Sequence, residues 1–149
     1  MKINIYAVGK LKPSPLLDLC DEYQRRMHWN ISIREISAPR TSSPLQEAGL
    51  ILKELTESSY VVAMDERGDS LTSQQFAAKL ANWYQQSPSQ GVSFIIGGAD
   101  GLDESIRKKA KVLLSFGKQT WPHMFVRAML MEQIYRAQQI ISGHPYHRQ

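Results

Sequence analysis

Three short segments of this chain hold residue types that suit a ligand site, and each follows a run with the character of a β-strand. The first is Asp65-Glu66-Arg67-Gly68-Asp69, after Tyr60-Val61-Val62-Ala63-Met64. The second is Gly97-Gly98-Ala99-Asp100-Gly101, after Gly91 to Ile96, and the third is Gly117-Lys118-Gln119-Thr120-Trp121-Pro122, after Val112 to Phe116. In open α/β folds ligands bind beyond the carboxyl ends of parallel strands, so Met64, Ile96 and Phe116 mark where chemistry is expected. Glycine serves there either to let a backbone approach a ligand or to turn with positive φ. The spacing Gly-Gly-x-x-Gly is neither the dinucleotide fingerprint nor a phosphate-binding loop, which disfavours dinucleotides and triphosphates. The residues alone leave both a purely structural turn and a ligand-facing loop open.

A second constellation lies at the C-terminal end. Arg127, Glu132, Tyr135 and Arg136 sit among Phe125, Val126, Ala128, Met129, Leu130, Met131, Ile134, Ala137, Ile140 and Ile141, so the helix carrying them is apolar on nearly every side. A second chain is one way to cover it. Glu132 and Arg136, at i and i+4, read most simply as a helix-surface ion pair. The tail His144-Pro145-Tyr146-His147-Arg148-Gln149 combines aromatic, imidazole and guanidinium groups. Such groups suit stacking on an extruded base and contact with its phosphates; the plainer reading is a tail packed on its own helix. His123, His144 and His147 have no carboxylate or cysteine at usable spacing, so no metal site is expected.

The 149 residues suffice for one compact domain. No apolar run approaches the roughly 20 residues of a membrane helix, and Met1 to Tyr6 reads as an immediate strand without a leader. A cytoplasmic protein is the expectation. The lone Cys20 falls on the apolar stripe of a helix and reads as core. Residues 105–149 carry eight Lys and Arg against Glu132 alone, whereas residues 1–104 carry ten against thirteen acidic residues. An anionic partner is expected at the basic end, although Lys108, Lys109 and Lys111 by themselves read as a solvated helix terminus.

The elements that must position these groups alternate without linker or repeat, which gives the α/β class. Ile3 to Val8 reads as a strand, followed by a loop over Gly9 to Pro13. A helix then bears Leu16, Leu17, Cys20, Tyr23 and Met27 at helical spacing. Ile31 to Ile36 alternates like a half-exposed strand, Ser37 to Pro44 is a polar loop, and Leu45 to Ser58 a helix containing Gly49. Tyr60 to Met64 is a strand buried on both faces, with a turn over Asp65 to Asp69. Thr72 and Gln75 form a capping box for a helix through about Gln86. Gly91 to Ile96 is another buried strand, Asp103 caps a short helix ending near Lys111, and Val112 to Phe116 is the last strand. A helix from His123 to Ser142, stopped by Gly143, precedes the tail.

End to end, these residues resemble the RlmH family. The resemblance rests on Ala7-Val8-Gly9-Lys10-Leu11-Lys12, Met64-Asp65-Glu66-Arg67-Gly68, Ile95-Ile96-Gly97-Gly98-Ala99-Asp100-Gly101-Leu102 and Trp121-Pro122-His123. Glu132-Gln133-Ile134-Tyr135-Arg136-Ala137 and Pro145-Tyr146-His147-Arg148 complete it. It implies a single SPOUT-type α/β domain over residues 1–149, with a parallel-rich sheet flanked by helices and a C-terminal trefoil knot, an exception to the usual absence of knots. It further implies a homodimer that uses S-adenosylmethionine to methylate N3 of a pseudouridine in bacterial 23S ribosomal RNA, on the assembled ribosome. Carried over by position, the cofactor contacts are Met64, Gly97, Phe116, Gly117, Lys118, Gln119, Thr120 and Trp121. Ala99 stands where proline is common in the family, and Lys118 places a cation near a sulfonium.

Methylating N3 requires removal of its proton and in-line approach to the methyl group. The expected catalytic residues are His147, Tyr146, His123 and Arg127. Tyr146, His147 and Arg148, in the tail spanning residues 143–149, would grip the base and its phosphates, with the tail of a partner subunit as one source. A non-catalytic ribosome-associated RNA-binding factor with the same fold is the runner-up, and affinity for S-adenosylmethionine separates the two.

Overall fold

Alternate residues of each central strand belong to two different cores, and this period of two organises the molecule. The computed structural model describes residues 1–148; Gln149, the end of the expected substrate-contacting tail, lies outside them. Ten elements follow one another: β1 (Lys2–Val8), α1 (Pro15–Arg26), β2 (Asn30–Ile36), α2 (Pro44–Glu54), β3 (Tyr60–Ser70), α3 (Ser73–Gln86), β4 (Val92–Ile96), α4 (Glu104–Lys109), β5 (Val112–Ser115) and α5 (His123–Ser142). The strands form one sheet in the order β2-β1-β4-β3-β5, and every pairing is parallel. Ile3, Ile5, Ala7, Val62, Phe94 and Ile96 pack toward α1, α3 and α5. Tyr6, Val8, Val61, Ala63 and Ile95 pack toward α2 and α4 on the other face. The expected α/β domain with a parallel sheet between helices is what the chain forms.

Local signals account for most helix ends. Ser14 accepts the Leu17 N–H ahead of Pro15, Thr72 and Gln75 make the reciprocal capping box of α3, and Gly143 ends α5 at φ 75°. α2 is shorter than the sequence suggests. It starts at Pro44 behind a Ser43–Gln46 capping box and stops at Glu54, before Ser58 takes a positive φ of 62°.

β3 departs most from expectation. The segment Asp65 to Asp69, read as a turn, continues the strand to Ser70. Its pairing with β5 shifts between Met64 and Asp69, both set against Leu114, so the intervening residues form a bulge. Gly68 makes this possible: a Cβ there would lie 2.4 Å from the Leu113 carbonyl carbon. α5 spans the sheet against the strand direction. Near its start Arg127 reaches the Gly9 carbonyl after β1, and near its end Gln138 accepts the N–H groups of His28 and Trp29 before β2.

Candidate functional site

The carboxyl ends of β3, β4 and β5 enclose one cavity of about 310 Å³. Neighbouring β3 and β4 feed helices on opposite faces of the sheet, which opens a crevice between them of the kind where α/β folds hold ligands. Met64, Gly97, Phe116, Gly117, Gln119, Thr120 and Trp121 all line it. Lys118 lies in the same loop, is exposed and does not line it. Ile96, Leu114 and Val126 add apolar wall, and Asp65, Arg67, Asp100 and Arg107 bring charge.

The two turns are held by different means. Gly101, at φ 81°, donates its N–H to the Gly98 carbonyl at 3.1 Å. A Cβ on Gly97 would meet the Gly101 carbonyl oxygen at 2.8 Å, and one on Gly98 would meet the Glu47 carboxylate at 2.8 Å. The turn itself requires Gly97, which meets backbone, and Gly101, which has positive φ, whereas Gly98 meets only the movable tip of Glu47; the turn also faces the cavity. In the second turn Gly117, at φ 111°, is clamped by Ser115, whose hydroxyl accepts the Gly117 N–H at 3.1 Å and donates to its carbonyl at 2.6 Å. Trp121 Nε1 donates to the Phe116 carbonyl at 3.2 Å, and Thr120 Oγ1 donates to Glu66 at 2.9 Å, fastening the loop to the β3 bulge.

Two contacts of the cavity wall escaped the sequence reading. Asp65, its side chain 4% exposed, accepts Arg107 Nε at 2.7 Å and the Arg67 N–H at 2.9 Å. Burial pushes its carboxyl up, but Arg107 and the Arg67 N–H hold it below the usual range. Glu47, from α2 behind Gly98, is pushed up by burial and by Asp100. A carboxylate 42 residues from its arginine leaves no local signature.

His123 and Arg127 sit differently from one another. His123 lines the cavity; burial, then the Arg127 charge, lowers its pKa from 6.5 and keeps the ring neutral near pH 7. Arg127 is 3% exposed and turned away, donating to Glu35 at 2.6 Å and to the Gly9 carbonyl at 3.0 Å, with its Nε unpartnered. Its link to the cavity is the effect of its charge on His123.

Within one chain none of the described tail residues lines this cavity. Tyr146 folds back on α5, its hydroxyl donating to Glu132 at 3.1 Å and its ring 4.8 Å from that of Tyr135. Arg136 stacks on the Tyr146 ring and pairs with Glu132, and its Nη1 lies 3.2 Å from His147 Nδ1. Burial and the bonds to Tyr23 and Glu132 push the Tyr146 phenol up. The Glu132–Arg136 pair is thus the partly buried seat of the tail, more than an exposed i, i+4 pair. Arg148 is exposed. Among the described residues no group of three His, Cys, Asp or Glu is placed to hold a metal ion, and no helix is long and apolar enough to cross a membrane.

A second cavity, about 680 Å³, shares Leu114, Ser115, Phe116 and Gly117 with the first and is otherwise lined mainly by α1 and α5. Leu19 and Phe125 stand at it 40% and 45% exposed.

Comparison with known proteins follows the same outline. A family model described as "Predicted SPOUT methyltransferase" matches residues 1–147. Curated relatives named Ribosomal RNA large subunit methyltransferase H include one from Rhodospirillum centenum, 47% identical over 152 residues and 99% of each chain. Another, from Paramagnetospirillum magneticum, is 46% identical with the same coverage. Among solved structures, a probable methyltransferase from Bordetella pertussis Tohama I superposes with a TM-score of 0.60 at 10% identity, covering 91% of this chain and 95% of that one. A putative methylase family protein from Neisseria gonorrhoeae gives 0.55 at 12% identity, over 99% and 87%. These two likenesses concern the fold.

Proposed function

The chain belongs to the SPOUT methyltransferase family, and we propose that it transfers the methyl group of S-adenosylmethionine to N3 of a pseudouridine in bacterial 23S ribosomal RNA, acting as a cytoplasmic homodimer on the assembled ribosome. The observation that carries the reading is the single cavity bounded by the β3 bulge, the 97–101 turn and the 116–121 loop. Its volume falls at the lower end of the range for small-molecule sites, roughly 300–1,000 Å³. The mix of apolar wall, close backbone and charged rim suits an adenosine joined to an amino acid. The substrate class comes from the relatives' shared name. A trefoil-knotted threading of the C-terminal segment is part of the proposal.

Bound S-adenosylmethionine supplies an electrophilic methyl group on a sulfonium. Transfer of that group to N3 would require the N3 proton to be taken up by the protein or by water. His123, uncharged at the cavity wall, is able to accept that proton directly or through water. The Ser115 and Trp121 bonds hold the 116–121 loop in place, so positioning is prearranged. Tyr146, His147 and Arg148 are the substrate-gripping groups. Tyr146 and His147 pack on their own α5, so the tail is assigned to the cavity of the partner subunit. Support for pairing comes from the exposed Leu19 and Phe125 beside the second cavity, whose wall at Phe116 and Gly117 also bounds the first.

The test is methyl incorporation into ribosomes from cells lacking the modification, located by mass spectrometry of the 23S RNA. Truncation after Pro145 is expected to lower the rate at least about 100-fold, the scale of losing acid–base and positioning groups, with donor affinity and dimer unchanged. Full activity in the truncated dimer would remove the tail from the mechanism.

A further inference from the structure

Arg107 is the best-held cation in the cavity wall. It projects from α4 with its side chain 19% exposed, and its Nε edge is committed to Asp65 at 2.7 Å. Asp65 is itself fixed by the Arg67 N–H at 2.9 Å. The other end of the guanidinium is nearly free. Its Nη1 lies 3.6 Å from Glu104, an exposed carboxylate one turn earlier, and among the described residues no hydrogen bond holds Nη2.

An arginine has five N–H donors in a rigid fork, so one edge can be anchored while the other receives a second carboxylate. The other positive groups of the wall are less suited to this. Arg67 is exposed, with its side chain in no ion pair among the described residues, and His123 is neutral near pH 7. The methyl donor proposed above carries one carboxylate, on its amino-acid arm.

Resting on that reading, we propose that Arg107, oriented by Asp65, is the subsite for the α-carboxylate of the methyl donor. Asp65 then has a positioning role: it fixes the plane of the guanidinium and turns the Nη edge into the cavity. The incoming carboxylate displaces Glu104, whose contact is long and solvent-exposed. The amino-acid arm is placed at the α4 side, leaving the apolar wall of Met64, Leu114, Phe116 and Val126 to the adenosine.

The plainer role for the pair is a strut between β3 and α4, and calorimetry tells the two apart. Probes are S-adenosylhomocysteine, which keeps the carboxylate, and 5′-methylthioadenosine, which lacks the whole amino-acid arm. In Arg107→Ala the affinity for S-adenosylhomocysteine should fall about tenfold or more, the scale of a charge-assisted hydrogen bond, and that for methylthioadenosine should stay within about twofold of wild type. Equal losses for both probes, or none for either, would overturn the subsite. Decarboxylated S-adenosylmethionine on wild-type protein gives the same answer without a mutation, and is expected to bind about tenfold more weakly than the intact donor. Equal binding there also overturns it. Failure of wild-type protein to bind any adenosine probe refutes the donor reading as a whole, a result distinct from those.

Discussion

Glu35 at the end of β2 and Arg127 in α5 are 92 residues apart in sequence and 2.6 Å apart in space. The same Glu35 oxygen accepts the Leu11 N–H at 2.6 Å, while Arg127 also donates to the Gly9 carbonyl. One ion pair therefore joins the loop after β1, the end of β2 and the start of α5. It also sets a positive charge one helical turn from His123.

Replacing Glu35 with alanine leaves a buried guanidinium without its counter-ion. The expected cost is about 2 kcal/mol, below the usual range for a fully buried pair because Glu35 is partly exposed. Urea unfolding at pH 7 measures it. The pH dependence has a definite sign. Burial raises the Glu35 carboxyl, but the Leu11 N–H and Arg127 bring it below 4.5. Its contribution is thus present above that value and lost as pH falls through the depressed native one. The Glu35→Gln variant should lose less stability than wild type between pH 5 and pH 3.

His123 carries the opposite charge logic. Its native pKa lies below 6.5 because of burial and Arg127, so on acidification the unfolded chain takes up this proton first. Stability from this group is complete above 6.5 and declines as pH falls below it, until the native ring is protonated too. If the neutral ring accepts the N3 proton, the acid limb of the methyl-transfer rate lies below that value as well. The limb should disappear in His123→Gln, and an unchanged profile in that variant would assign the inflection to another group.

Much of this architecture was legible because its signals are local. The Thr72–Gln75 capping box, the Gly143 stop and the unbroken run Tyr60 to Met64 each specify an element within a few residues. The Ser43–Gln46 box was equally legible, and the loop reading through Pro44 passed over it. Strand order and the pairing of Asp65 with Arg107 depend on contacts between distant segments, which no local pattern encodes. The β3 bulge misled for a physical reason. Asp-Glu-Arg-Gly-Asp has turn composition, yet Gly68 lets the strand rejoin β5. The tail's residue types and the plainer reading that it packs on its own helix were apparent from sequence, but not that Glu132, Tyr135 and Arg136 form the seat.

Gly68→Ala tests the bulge directly. The added methyl would sit 2.4 Å from the Leu113 carbonyl carbon and 2.5 Å from its oxygen, and backbone cannot step aside as a side-chain tip can. The expected loss is about 2–3 kcal/mol, the upper part of the overpacking range, with weaker donor binding because Asp65 and Glu66 ride on the bulge. Thermal unfolding and donor titration check the two effects separately.

Gly117→Ala separates backbone conformation from packing at the other wall. Nothing lies within 4 Å of the position a Cβ would take, so the substitution meets no clash. The whole penalty comes from φ at 111°, a region L-residues rarely adopt, and should be about 1–3 kcal/mol if the turn is kept. The loop has an alternative. It can relax by giving up the Ser115 clamp, since Gly117 offers both the N–H and the carbonyl that Ser115 holds. Relaxation would preserve stability and move Phe116 and Trp121 together, because Trp121 bonds to Phe116, while Thr120 stays tied to Glu66 on β3. The expected signature is therefore a small change in melting temperature with a severalfold loss of donor affinity. Ser115→Ala should reproduce that loss while leaving φ at residue 117 free to stay positive. A large stability loss in Gly117→Ala with unchanged donor affinity would show that the loop holds its shape rigidly and that its conformation does not govern the cavity.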